Sequence, residues 1–313
     1  MSYGSENATG TTTSSVGSRL RELWNDYLPV WLSAPMVLVM LLITVFPGVY
    51  DLYLSLVHYK QTNPQQIGEF AGLANFAAVF SDPSTWHSIG VTLTFVGGSL
   101  ALETALGFTL AALVTNVSND YAREFYRVAF ILPMAVAPVS LATIGRIMLN
   151  SQVGVIPYVV ATYTPFAAPN FLAEFPLATV IAMDTWHWTP FMFIIFYAGL
   201  SSVPEQLLEA SRVDGAPLWR RYVHIVIPYM KPVIFVAVLI RLIDLFRTFG
   251  TVYSLTQGGP GTATQLVSIQ IFQTGFKYVN LGQASALAIA YLVGILVICN
   301  VVIRYFGFGG VWD

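Results

Sequence analysis

ASALAIAYLVGILVICNVVI, residues 284–303, is an unbroken apolar stretch inside a charge-free run from Tyr278 to Ile303. A bilayer core needs about 20 apolar residues of helix to cross it, so this stretch alone predicts a membrane span, about Gln283 to Phe306. Working outward, five more segments meet the same requirement: about Pro29 to Leu56, Ser88 to Val114, Phe125 to Leu149, Phe175 to Leu200 and Ile225 to Phe249. Only the second, fourth and fifth carry charges deep inside: Glu103, Asp184, and the set Lys231, Arg241, Asp244 and Arg247.

Composition agrees. Of the 313 residues 56% are hydrophobic and 10% charged, against about 25% charged in an ordinary soluble domain. Mean hydropathy is +0.67. These values exclude a soluble enzyme, a disordered chain and a nucleic-acid binder. Net charge is −2, which gives no general attraction to an anionic partner. The single cysteine, Cys299, forms neither an internal disulfide nor a metal site.

Lys/Arg placement predicts orientation. With the N-terminus inside, the inner segments hold Arg19, Arg21, Arg123, Arg127, Arg212, Arg220, Arg221 and Arg304, and the outer ones only Lys60 and Lys277. The expected fold class is an all-α polytopic membrane protein with six transmembrane helices and both termini cytoplasmic. Residues 1–28 are expected to be a cytoplasmic tail, the first 18 disordered because a Ser/Thr/Gly-rich stretch buries too little apolar surface to fold. No basic segment precedes an apolar one at the start, so a cleaved signal peptide is not expected. A single transmembrane domain is expected over 29–306, and a short cytoplasmic tail over 307–313. The outer connections, 57–87, 150–174 and 250–282, read either as plain connectors or as a docking face for an external partner.

The fourth and fifth spans are joined by VPEQLLEASRVDGAPLWRRYVHIVIPYMKP, residues 203–232. It is too apolar for a solvated loop. Residues 205–213 suit a short helix, with Glu205 at its positive end, and Gly215 permits a positive φ and a reversal. The spacing predicts a cytoplasmic elbow that either lies on the membrane surface or docks in a groove of another protein.

Chemistry is sparse. There is no phosphate-cradling GxxxxGK[ST], no HExxH, no Cys/His cluster and no GxSxG. The histidines, His58, His87, His187 and His224, sit on different elements. Charges in spans are costly and usually face a cavity or a partner. Arg241, Asp244 and Arg247 follow i, i+3 spacing and are expected to share a helix face, either as an ion-pair ladder near the outer surface or as part of a translocation path. Asp184, Trp186 and Trp188 read either as residues lining a solute path or as belt and packing residues. Glu103 reads as a packing partner.

The elbow then acquires a likeness. Glu209-Ala210-Ser211, three residues, Gly215, nine residues, then Ile225-x-Ile227-Pro228 resembles the EAA loop of ABC importer permeases, with Ser211 and Ile227 the two conservative departures. GLANF (72–76), WHWTPFMF (186–193) and DLFRTFGTVYSLTQGGPGTATQ (244–265) are similar to sugar permeases of the maltose and glycerol-phosphate type. The resemblance implies a permease subunit for a sugar or polyol, a disaccharide such as trehalose or maltose for example, in a prokaryotic plasma (inner) membrane. It implies a second homologous permease, two ATPase subunits and an external solute-binding protein as partners. It places Glu209, Ala210, Ser211, Asp214 and Gly215 at the ATPase groove. No cofactor belongs to this chain; ATP and Mg would be bound by the ATPase subunits. A self-contained secondary transporter and an intramembrane hydrolase built on Asp184 and Asp244 are the rival classes.

Overall fold

The computed structural model describes residues 16–62, 64–165 and 169–306. The remainder of both expected terminal tails, 1–15 and 307–313, lies outside the described residues. The first helix begins ahead of the expected Pro29 start: α1 spans Val16–Met40, a π-helical segment Leu41–Val45 follows, and α2 spans Phe46–Ser55. Pro47 explains the π segment. Its ring has no N–H and displaces the carbonyl four residues back, and the Phe46 N–H reaches back five residues to Leu41 O. Among the described residues, those up to Tyr53 form one compact unit and those from Leu54 onward another.

In the second unit α3 (Ala74–Ser81) is followed by α4 (Pro83–Thr115). Asp82 caps α4 by accepting from the Ser84 N–H at 2.9 Å, and Pro83 opens the helix, where its missing donor costs nothing. The second span therefore starts at Pro83, five residues before the expected Ser88. Next come α5 (Asp120–Ile131), α6 (Pro138–Met148), α7 (Val155–Tyr163), α8 (Phe171–Glu174) and α9 (Pro176–Ser201). Then follow α10 (Glu205–Val213), α11 (Leu218–Arg221), α12 (Ile227–Phe246), α13 (Gly250–Thr256), α14 (Val267–Phe272) and α15 (Leu281–Phe306). Among the described residues four helices are long and apolar enough to cross a membrane, or six if each of two bent pairs counts as one span.

The expected third span, 125–149, is one of those pairs. α5 and α6 meet at 91°. Pro138 is the cause: it holds Ala137 in extended backbone (φ −60°, ψ 133°), so the helix cannot run through. The π segment Tyr222–Val226 between α11 and α12 repeats the pattern of the first, with Pro228 standing where Pro47 does and the Ile227 N–H bonding Tyr222 O. Leu218–Phe246 is thus one continuous helical run.

α4, α9 and α12 form the centre. Gly107 of α4 sits against α9 so closely that a Cβ there would stand 2.6 Å from Met192 Cβ, the close approach that small residues permit. Two apolar layers fill the space between the three helices. One holds Phe95, Val96, Val180, Leu242, Leu245 and Phe246. The other holds Ala111, Val114, Met192, Phe196, Met230 and Ala237. On each helix a single charged residue falls between the two layers: Glu103, Asp184 and Arg241.

Candidate functional site

The first candidate is that charged layer. Arg241 is 1% exposed and Glu103 fully buried, and the Asp184 side chain is 3% exposed. Arg241 Nε donates to Glu103 Oε2 at 2.6 Å and Nη2 to Glu103 Oε1 at 2.9 Å, a bidentate fork. Nη2 also donates to Asp184 Oδ2 at 2.5 Å, and Nη1 to Asp244 Oδ2. Four of the five guanidinium N–H groups are thereby used. The Trp188 ring covers the guanidinium, with its centroid 4.8 Å from Arg241 Cζ, a cation–π contact. A lone charge in a span costs about 2.5–3.5 kcal/mol on insertion scales; here one arginine faces three carboxylates, two of them buried with it.

Asp244 differs from its neighbours. Its side chain is 46% exposed, and it joins the buried network to open space. The network lies between two apolar layers. Two expectations are corrected. Arg247 is not a rung of a ladder: it caps the end of α12, is exposed, and makes no ion pair among the described residues. Trp186 points away from Asp184 and lines a separate groove of about 570 Å³ with Leu106, Phe130 and Pro133, because residues two apart on a helix do not share a face. Glu103 is the member that sequence reasoning left as packing. One acid in an otherwise apolar span was the available signal, since it demands a partner on another helix.

His187, one turn after Asp184, is buried and serves the broken third span. Its Nε2 lies 2.9 Å from the Val136 carbonyl. A carbonyl only accepts, so Nε2 carries the proton and donates across the α5–α6 break.

The second candidate is the elbow. α9 ends at Ser201 and α10 leaves it at 72°. α10 closes with a Schellman motif: Ala216 N–H bonds Ser211 O at 3.0 Å, Gly215 N–H bonds Arg212 O at 3.1 Å, and Gly215 has φ +69°. The conformation suits glycine because it has no Cβ. Arg221 Nε donates to Ala216 O at 2.9 Å and ties the turn to the following helix. Asn116 Nδ2 donates to Tyr222 OH at 2.9 Å, tying the end of α4 to the same place.

Glu209, Ala210, Asp214 and Gly215 are exposed, as are the apolar Leu207, Val213, Leu218 and Trp219. Ser211 is not. It is buried, and its Oγ donates to Leu208 O at 2.7 Å, so it holds α10 from within rather than offering a surface. Glu209 makes no ion pair among the described residues. The elbow therefore presents unpaired charge and unpartnered apolar side chains on a rigid backbone.

Known proteins place these features. Residues 103–307 match the family described as Binding-protein-dependent transport system inner membrane component. The chain is 32% identical over 295 residues to the trehalose transport system permease protein SugA of Mycobacterium tuberculosis, covering 94% of this chain and 92% of that one. It is 32% identical over 284 residues to the trehalose/maltose transport system permease protein MalF of Thermococcus litoralis, covering 89% and 92%. A chain from the crystal structure of a bacterial ABC transporter involved in the import of the acidic polysaccharide alginate superposes with a TM-score of 0.78 at 24% identity, covering 91% of this chain and 98% of that one.

Proposed function

Because this chain belongs to the family of inner membrane components of binding-protein-dependent transport systems, we propose that it is the permease subunit of an ATP-driven importer for a sugar or related polyol, a disaccharide such as trehalose or maltose. It is a multi-pass protein of the inner membrane. The observation that carries the coupling reading is the Schellman-closed elbow: a short helix held at 72° to its span, with Glu209, Ala210, Asp214 and Gly215 on an exposed, partly apolar face. Such a face fits a groove on an ATPase subunit, and a rigid turn transmits the movement of what docks there. The elbow end then faces the cytoplasm, in line with the Arg-rich segments beside it. ATP and Mg are bound by the two ATPase subunits, and a second homologous permease completes the translocation path. The relatives named for trehalose and maltose support the sugar class, and an external solute-binding protein delivers the solute.

On the path itself, exposure sorts the candidates. Asp244, half exposed, and Trp188, partly exposed, can meet solute, with Arg247 beside them on open surface. Asp184 and Arg241 lie behind them.

The test is purification of the tagged chain from native membranes in mild detergent, identification of what accompanies it, and uptake of a sugar panel by the reconstituted assembly with and without ATP. Co-purification of an ATPase and a second permease, with ATP-dependent uptake, is expected. A solitary chain whose solute uptake survives ATP depletion would establish a secondary transporter instead.

A further inference from the structure

The charged layer does more than pair one arginine with three carboxylates. Arg241 and Glu103 are sealed from solvent, so neither touches a solute. Yet the guanidinium they fix makes the only ion pair of Asp244, through Oδ2, while Oδ1 has no hydrogen bond among the described residues and the side chain is 46% exposed. The Trp188 ring lies over the same guanidinium, its centroid 4.8 Å from Cζ. One buried plane therefore sets the direction of an acceptor oxygen and of an aromatic face that both reach open space.

We propose that Arg241, clamped in its plane by Glu103, is a positioning residue for solute recognition, orienting Asp244 Oδ1 and the Trp188 ring toward a polyhydroxylated solute. The inference rests on the reading that Asp244 and Trp188 line the solute path. The physical reason is the fork. Two parallel bonds from Nε and Nη2 to one carboxylate remove rotation about the end of the arginine side chain. The remaining donors then point in fixed directions, and Asp244 is held at one χ setting instead of sampling several in water. Glu103 thus acts on the solute from a helix that presents no group to it.

Transport kinetics of the assembled complex in proteoliposomes test this, with radiolabelled trehalose as the first probe and the panel-selected sugar otherwise. Glu103→Gln keeps the shape but turns one acceptor of the fork into a donor. KM is expected to rise about tenfold, the size of one misplaced charge-assisted bond, and by more than Vmax falls. Asp244→Asn should raise KM similarly, and the double variant should be no worse than Asp244→Asn alone, since both act through one oxygen. Should Glu103→Gln not reach the membrane, Glu103→Asp carries the same test with the charge kept and the reach shortened. An unchanged KM in the Glu103 variants beside a raised KM in Asp244→Asn overturns the positioning role, as does strict additivity. An unchanged KM in Asp244→Asn overturns the path reading first, and the inference with it.

Discussion

The elbow and the charged layer are both rigid, but they are rigid for opposite reasons. The elbow is fixed by bonds between backbone groups five residues apart or fewer, with one glycine in a left-handed conformation, and its outward face is left unsatisfied. The charged layer is fixed by side chains up to 138 residues apart, with nearly every guanidinium donor used. A surface that must meet another protein keeps its side chains free and draws its shape from the main chain. An interior that must stay closed does the reverse. Damage to the first should change what the protein does at unchanged stability, and damage to the second both whether it holds together and, through Asp244, how it meets solute.

That contrast can be broken or sharpened by substitution. Arg241→Met should have the largest effect on stability. It leaves Glu103 and Asp184 buried without their partner, at a cost of about 3–5 kcal/mol, and should show as a large drop in thermal midpoint in detergent and in membrane yield. Adding Glu103→Gln and Asp184→Asn to it should recover much of the loss, because a neutral layer needs no counter-charge; no recovery would mean that packing rather than charge dominates there. Next is Gly215→Val. A β-branched residue at φ +69° is strained by roughly 1–2 kcal/mol, and solute-stimulated ATP hydrolysis should fall to its basal level while the chain stays in the membrane. Gly215→Asn, which tolerates that conformation, should retain stimulation. Ser211→Ala loses one bond to Leu208 O and should cost about 0.5–1.5 kcal/mol, read by chemical or thermal unfolding. Glu209→Gln should change stability by less than about 0.5 kcal/mol and alter only stimulated hydrolysis; a clear loss of stability would show that Glu209 is part of the fold.

Sequence reasoning succeeded where causes are local. Apolar run length marked the spans, and the order Glu209 to Gly215 to Pro228 marked the elbow, because cap, turn and proline act within a few residues. It fell short where a partner is distant or a break is subtle. The 91° break in the expected third span hinges on Pro138 within a continuous apolar stretch, so hydropathy alone cannot register it. Glu103 and Arg241 find each other across 138 positions, and only the demand of each for a counter-charge hinted at the match. Arg247 and Trp186 were grouped with their neighbours by sequence proximity, whereas helix end and helix face separate them.

α9 and α12 are joined at one end by the elbow and pinned to each other about 25 Å away, at 1.5 Å per residue from Asp184 to Ser201, by the Asp184–Arg241 contact. Two struts tied at both ends make a closed frame, which resists sliding of one strut along the other. A load applied at the elbow therefore arrives at the far tie as rotation of the whole frame. Its compliance is concentrated at Pro232 and the π segment Tyr222–Val226 toward the loaded end, and at Pro190 nearer the far tie.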